Sequence, residues 1–147
     1  MRIYGILIDS SKRVLVADEF IRGHFVTKFP GGGLEYGEGT RDCLKREFLE
    51  ETGLEVTIGE HIYTTDFYQQ SAFNPKDQII SIYYQVIAAE PINLQTQITV
   101  FNFEPAAISN PLGEAEVFRW IEWKNFNSSC LTLPIDKLVA NLLKKHS

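Results

Sequence analysis

Apolar positions run almost unbroken through residues 2–8 (RIYGILI) and again through 13–20 (RVLVADEF), separated by Asp9-Ser10-Ser11-Lys12. Short apolar runs bounded by turn residues read as strands, so the chain is expected to open with a β-hairpin. Arg22-Gly23 punctuates the pattern, and residues 23–29 form a third extended segment. It ends at Pro30, which biases Phe29 away from helix. Beyond Gly31-Gly32-Gly33 the period changes. Cys43, Leu44, Phe48 and Leu49 supply the apolar side of a helix running to about Thr52. Thr40 is its expected N-cap, Asp42 sits in its first turn, and Gly53 is its C′ residue.

Strand character returns over residues 54–68 and 78–89, with the loop QQSAFNPKD between them. Pro91, Pro105 and Pro111 fragment the next stretch, where a short strand is expected around Ile98–Phe103. Residues 115–123 (AEVFRWIEW) alternate Val117, Arg119 and Ile121 against Phe118, Trp120 and Glu122, a strand pattern. The end of the chain reads as an amphipathic helix. Pro134 suits its first turn, Ile135, Leu138, Val139, Leu142 and Leu143 form its stripe, and Lys144-Lys145-His146 complements the dipole at its end. Strands, a helix, more strands and a final helix predict an α+β fold, with a mixed β-sheet covered by helices on both faces.

The first helix changes the picture from architecture to chemistry. Glu47, Glu50 and Glu51 fall within an arc of about 100° on it, at 100° per residue. Three neighbouring carboxylates repel one another unless a cation lies among them, and a hard oxygen-seeking ion such as Mg²⁺ suits them. The run of glycines from Gly31 lets the backbone approach a ligand closely or take positive φ. It matches neither GxxxxGK[ST] nor GxGxxG, and the acidic residues lack the alternation of an EF-hand loop.

Spacing adds a resemblance. Gly32, five residues, Glu38, seven residues and then Arg46-Glu47-Phe48-Leu49-Glu50-Glu51-Thr52-Gly53-Leu54 is similar to the signature of the Nudix hydrolases, with Phe48 where that signature has a bulky aliphatic. The resemblance implies an α/β/α sandwich formed by a single domain of residues 1–147, and Mg²⁺-dependent (or Mn²⁺-dependent) hydrolysis of a nucleoside diphosphate linked to a moiety X. It further implies that Glu47, Glu50 and Glu51 hold metal, that the Gly31 carbonyl can join them, and that Glu47 is the first candidate for the general base. Arg46 would orient the carboxylates and Glu38 would brace the loop. The extra carboxylate that relatives supply from outside the box would be Glu114, with Glu116 and then Glu104 as alternatives.

Composition narrows the partners. A net charge of −5 disfavours a nucleic-acid surface, which needs a basic face. Two cysteines, Cys43 and Cys130, form no CxxC pair and read as reduced thiols in a cytoplasmic protein. No apolar run approaches the ~20 residues of a membrane span, and the first residues lack signal-peptide anatomy. Where some relatives hold a phosphate with a basic residue, this chain has Asp18 and Glu19, so the contact is missing or passes to Arg22 or Lys28. The secondary markers of ADP-ribose, dinucleoside polyphosphate and NADH pyrophosphatases do not appear near Gln69-Gln70-Ser71. A small nucleoside di- or triphosphate derivative is the leading substrate class. Nucleotide sugars, ADP-ribose and a non-catalytic nucleotide-sensing role are the alternatives, and dimers are common among relatives.

Overall fold

The computed structural model of the protein describes residues 1–146. The chain is α+β, and it folds into two compact units, each drawn from two stretches of sequence. The first takes Met1–Asp9 and Pro30–Leu94, and the second takes Ser10–Phe29 and the chain from Gln95 onward.

The first unit is built on a mixed sheet of four strands in the order β4-β1-β6-β5. These are β1 (Arg2–Leu7), β4 (Gly31–Gly33), β5 (Val56–Thr64) and β6 (Ser81–Ala88). β1 runs antiparallel to β4 and parallel to β6, which explains its continuous apolar character: every residue from Ile3 to Leu7 is buried. Helix α1 (Thr40–Thr52) packs on this sheet through Cys43, Leu44 and Phe48. Phe48 is accommodated by a glycine on the strand beneath it, since a Cβ on Gly5 would lie 2.7 Å from the Phe48 ring.

The second unit carries an antiparallel sheet in the order β3-β2-β7, formed by β2 (Arg13–Ile21), β3 (His24–Lys28) and β7 (Glu114–Glu122). Arg22 and Gly23 both take positive φ, 48° and 85°, as a two-residue hairpin turn requires. Helix α2 (Pro134–Lys145) begins at proline as expected. Its stripe is centred differently: Ile135, Asp136, Val139 and Ala140 are buried, while Leu138, Leu142 and Leu143 are only partly covered. Asp136 is held inside because its carboxylate accepts the Phe29 backbone N–H at 3.4 Å.

Several expectations are corrected. The first two strands form as predicted but do not make a hairpin, because each already has partners on both edges: β4 and β6 for β1, β3 and β7 for β2. No strand forms over Ile98–Phe103. Phe101 adopts a left-handed φ of 54°, and its N–H donates to the Asp18 carboxylate at 3.2 Å instead of to a ladder. Leu49 is 51% exposed, since it lies about 100° around α1 from Phe48 and off the packed stripe. The N-cap is Gly39 rather than Thr40, whose hydroxyl lies 2.6 Å from that of Tyr84 on β6.

Candidate active site

The two ends of α1 are fixed by different means. Gly53 closes its C-terminus in the left-handed conformation, with its N–H on the Leu49 carbonyl. At the N-terminus, Thr40 meets Tyr84, and the Arg41 guanidinium lies 4.7 Å from the Tyr84 ring centre. Arg41 also donates to the carbonyls of Ile58 at 3.1 Å and Gly59 at 2.7 Å, where the β5–β6 register is interrupted. Bulged strands re-aim the groups they carry, and here the bulge offers two carbonyls to one guanidinium.

At mid-helix, Arg46 is a hub. It meets Glu38 in a bidentate pair, Nε to Oε2 at 3.0 Å and Nη2 to Oε1 at 2.7 Å. Its Nη1 donates to Glu47 Oε1 at 3.0 Å and to Glu50 Oε2 at 3.2 Å, and lies 3.7 Å from Glu35. Nη2 also reaches the Gly33 carbonyl at 3.2 Å, tying helix to glycine strand. The Glu38 carboxylate accepts the Glu35 N–H at 3.0 Å, which folds the intervening loop. The Arg46 hydrogen bonds hold Glu38 well below its ordinary range, at about 2, and the same bond with Glu38 raises Arg46 further. Burial pushes the Cys43 thiol beside them up to about 12, so it stays a protonated packing group.

The glycines have separate jobs. Gly31 has a φ of 151°, and a Cβ there would overlap the Ile3 carbonyl on β1. A Cβ on Gly32 would stand 2.6 Å from Glu47 Oε2, so that glycine alone leaves room for the carboxylate. Glu47 is therefore enclosed between α1 and β4, with its side chain 13% exposed, while Glu50 is 58% exposed and Glu51 follows it on the open side.

The structure thus brings Arg46, Glu47 and Glu50 together with Glu38, and adds Glu35, which the sequence reading left unassigned. Its position three residues before Glu38 in the same loop was the available signal. The remaining candidates lie in the second unit. Lys28 is buried, with its ammonium 3.1 Å from Glu19 Oε1, and Arg22 is exposed at the β2–β3 turn. Glu114 opens β7 exposed, Glu116 pairs in register with Glu19 and is half-buried, and exposed Glu104 precedes a short 3₁₀ turn.

Among the described residues no group of three or more His, Cys, Asp or Glu side chains converges as a ready cation cage. Two carboxylates nevertheless converge on one cationic atom, since Glu47 Oε1 and Glu50 Oε2 both lie within 3.2 Å of Arg46 Nη1. Each retains a second oxygen. An all-oxygen, anionic donor set beside a cradle that only glycine leaves open fits a hard divalent ion.

A model of the NUDIX domain family matches residues 1–141. The chain belongs to the Nudix family. Among curated proteins it is 27% identical over 144 residues to the mouse nucleoside diphosphate-linked moiety X motif 6, covering 96% of this chain and 40% of the mouse protein. It is 36% identical over 55 residues to an 8-oxo-dGTP diphosphatase of Proteus vulgaris, covering 36% of this chain and 49% of that one. The chain therefore matches less than half the length of either relative. Solved Nudix structures share the fold. A MutT protein from Methanosarcina mazei superposes with a TM-score of 0.67 at 14% identity, covering 99% of this chain and 92% of that one. A NUDIX hydrolase from Nitrosomonas europaea gives 0.65 at 18% identity, covering 99% and 88%. No helix of the described residues is long and apolar enough to cross a membrane.

Proposed function

We propose that this Nudix chain, acting as a single cytoplasmic domain, hydrolyses a diphosphate linkage in a nucleoside diphosphate joined to a moiety X. The favoured substrates are small nucleoside tri- or diphosphate derivatives. The observation that carries the reading is the Arg46 hub, which holds Glu47 and Glu50 on one guanidinium nitrogen and bonds the glycine strand at the Gly33 carbonyl. The names of the mouse and Proteus relatives support the substrate class.

Glu47, Glu50 and Glu51 would hold Mg²⁺, with the Gly31 carbonyl as a further donor. When bound, the ion would supply charge neutralisation at the diphosphate and help activate the attacking water. The protein's own part is orientation. Arg46 fixes the Glu47 and Glu50 carboxylates, and Glu38 fixes Arg46, so the donor set is arranged before substrate arrives. Glu47, enclosed and hydrogen-bonded, would be the residue that accepts a proton from the attacking water.

A hydrolysis screen over nucleoside triphosphates, nucleotide sugars, ADP-ribose and dinucleoside polyphosphates with Mg²⁺ or Mn²⁺ tests the reading. Glu50→Gln and Glu51→Gln should each lower turnover at least about a hundredfold, in the range of lost transition-state electrostatics. Tight nucleotide binding without product in the native protein would instead identify a sensing module. Wild-type turnover in both variants would remove these glutamates from the mechanism.

A further inference from the structure

We infer that Tyr36, in the turn between β4 and α1, is the stacking surface for the nucleobase of the substrate. The inference rests on the diphosphate-hydrolase reading and deepens it, since it names the part of a nucleotide that the carboxylates cannot hold.

The residues from Gly31 to Gly53 include two aromatics, Tyr36 and Phe48. Phe48 is buried against the sheet, whereas Tyr36 is 107% exposed. Among the described residues its ring stacks on no other and its hydroxyl has no hydrogen-bond partner. The ring therefore adds nothing to the packing of the fold.

The backbone that carries it is fixed. The Glu38 N–H donates to the Glu35 carbonyl at 3.4 Å and Gly37 takes a φ of 93°, a type II pattern with Tyr36 at the second position. Proline is common at that position, so the turn itself makes no demand for an aromatic side chain. Both ends of the turn are tied to the hub. Glu38 Oε1 lies 2.7 Å from Arg46 Nη2, and Glu35 Oε1 lies 3.7 Å from Nη1. The Leu34 N–H, just before the turn, donates to the Met1 carbonyl at 3.0 Å.

Single exposed apolar side chains are ordinary on a protein surface. Tyr36 differs in its place. It follows Glu35, which approaches the same guanidinium nitrogen that gathers Glu47 and Glu50. That carboxylate side suits a cation and, through it, phosphate oxygens. A nucleobase is flat and uncharged, and it gains most from an aromatic face. The other large apolar side chain exposed in this stretch is Leu49. Leu49 lies about 200° around α1 from Glu47 and turns away from it. A substrate with its diphosphate drawn to Glu47 and Glu50, and its base extended past Glu35, meets the Tyr36 ring. Such stacking tolerates every base, so Tyr36 selects nucleotides over base-free diphosphates rather than one base over another.

Tyr36→Ala, Tyr36→Leu and Tyr36→Phe in the full chain test this. Loss of one stacked base should raise KM about fivefold to a hundredfold in Tyr36→Ala, with kcat little changed. Tyr36→Leu, which keeps bulk without a π face, should recover little, and Tyr36→Phe should stay near native. Methylene-bridged analogues of adenosine, guanosine, cytidine and uridine diphosphate, titrated by calorimetry with Mg²⁺, should lose affinity in parallel. Affinity for methylenediphosphonate, which carries no base, and the thermal midpoint should hold in all three variants. Native KM and analogue affinity in Tyr36→Ala would overturn the inference. So would an equal loss for methylenediphosphonate, or a loss in Tyr36→Phe as large as in Tyr36→Ala. If the native protein hydrolyses nothing yet binds the analogues, the diphosphate-hydrolase reading fails alone and the titrations still decide the role of Tyr36. A native protein that binds none of the analogues would overturn the inference as well.

Discussion

Arg46 and Arg119 both hold carboxylates, in surroundings that differ in one respect. Arg119 serves Asp18 alone, through Nε at 2.9 Å and Nη2 at 3.0 Å. The Thr27 hydroxyl at 2.7 Å and the Phe101 N–H at 3.2 Å complete that carboxylate, which is fully buried. Arg46 faces four carboxylates with one guanidinium, and two of them, Glu35 and Glu50, are open to solvent. The first centre is balanced and closed. The second carries more negative charge than its one arginine can neutralise. Surplus charge beside an open edge marks chemistry, whereas matched charge inside marks structure.

The largest expected effects come from removing each arginine. Arg119→Met leaves Asp18 buried without its counter-ion and should cost about 3–5 kcal/mol of stability. Arg46→Met should cost only about 1 kcal/mol, as for other partly exposed pairs, yet lower turnover about a hundredfold by releasing Glu47 and Glu50. Denaturant midpoints and initial rates on the same preparations separate the two. Equal stability losses would erase the distinction between the centres.

Gly32→Ala sharpens the same contrast at one methyl group. The added Cβ would meet the end of the Glu47 side chain, with Oε2 at 2.6 Å, and that side chain can swing away. Stability should therefore change little, while displacement of Glu47 lowers kcat about tenfold or more, since misplacement by about 1 Å can cost a hundredfold. Near-native kcat with a lowered melting temperature would make Gly32 a packing glycine only.

How much of this was legible beforehand depended on whether the determinant was local. Glu38 as a brace follows from the resemblance, and the clustering of the α1 glutamates and Gly53 as helix stop follow from spacing along the chain. So do the strands from Arg2, Arg13, Val56, Ser81 and Glu114, whose apolar patterns are strong. What escaped depended on partners distant in sequence. The opening hairpin failed because edge pairing is settled by strands many residues away. The N-cap shifted because Thr40 finds Tyr84 across the fold. Phe101 left the strand region for Asp18, 83 residues earlier.

The smallest expected effect is one of pH, and it concerns how Glu38 supports the hub. Arg46 lowers Glu38 from 4.5 to about 2, so the pair contributes its stability above the unfolded value and loses it as pH falls through the folded one. Glu38→Gln should accordingly be less stable than the native protein by a constant amount from about pH 6 to 8, with the difference shrinking below about pH 4.5. Urea midpoints of the two proteins at several pH values give the curve. A difference that instead vanished between about pH 5 and 7 would place the titrating partner elsewhere, since only an unperturbed or raised group could release it there. Because Glu38 touches Arg46 and Arg46 touches Glu47 and Glu50, the substitution should also loosen the carboxylates. Turnover should fall by a few-fold at pH 7, less than in Arg46→Met, because Gly33 still holds one of the guanidinium nitrogens.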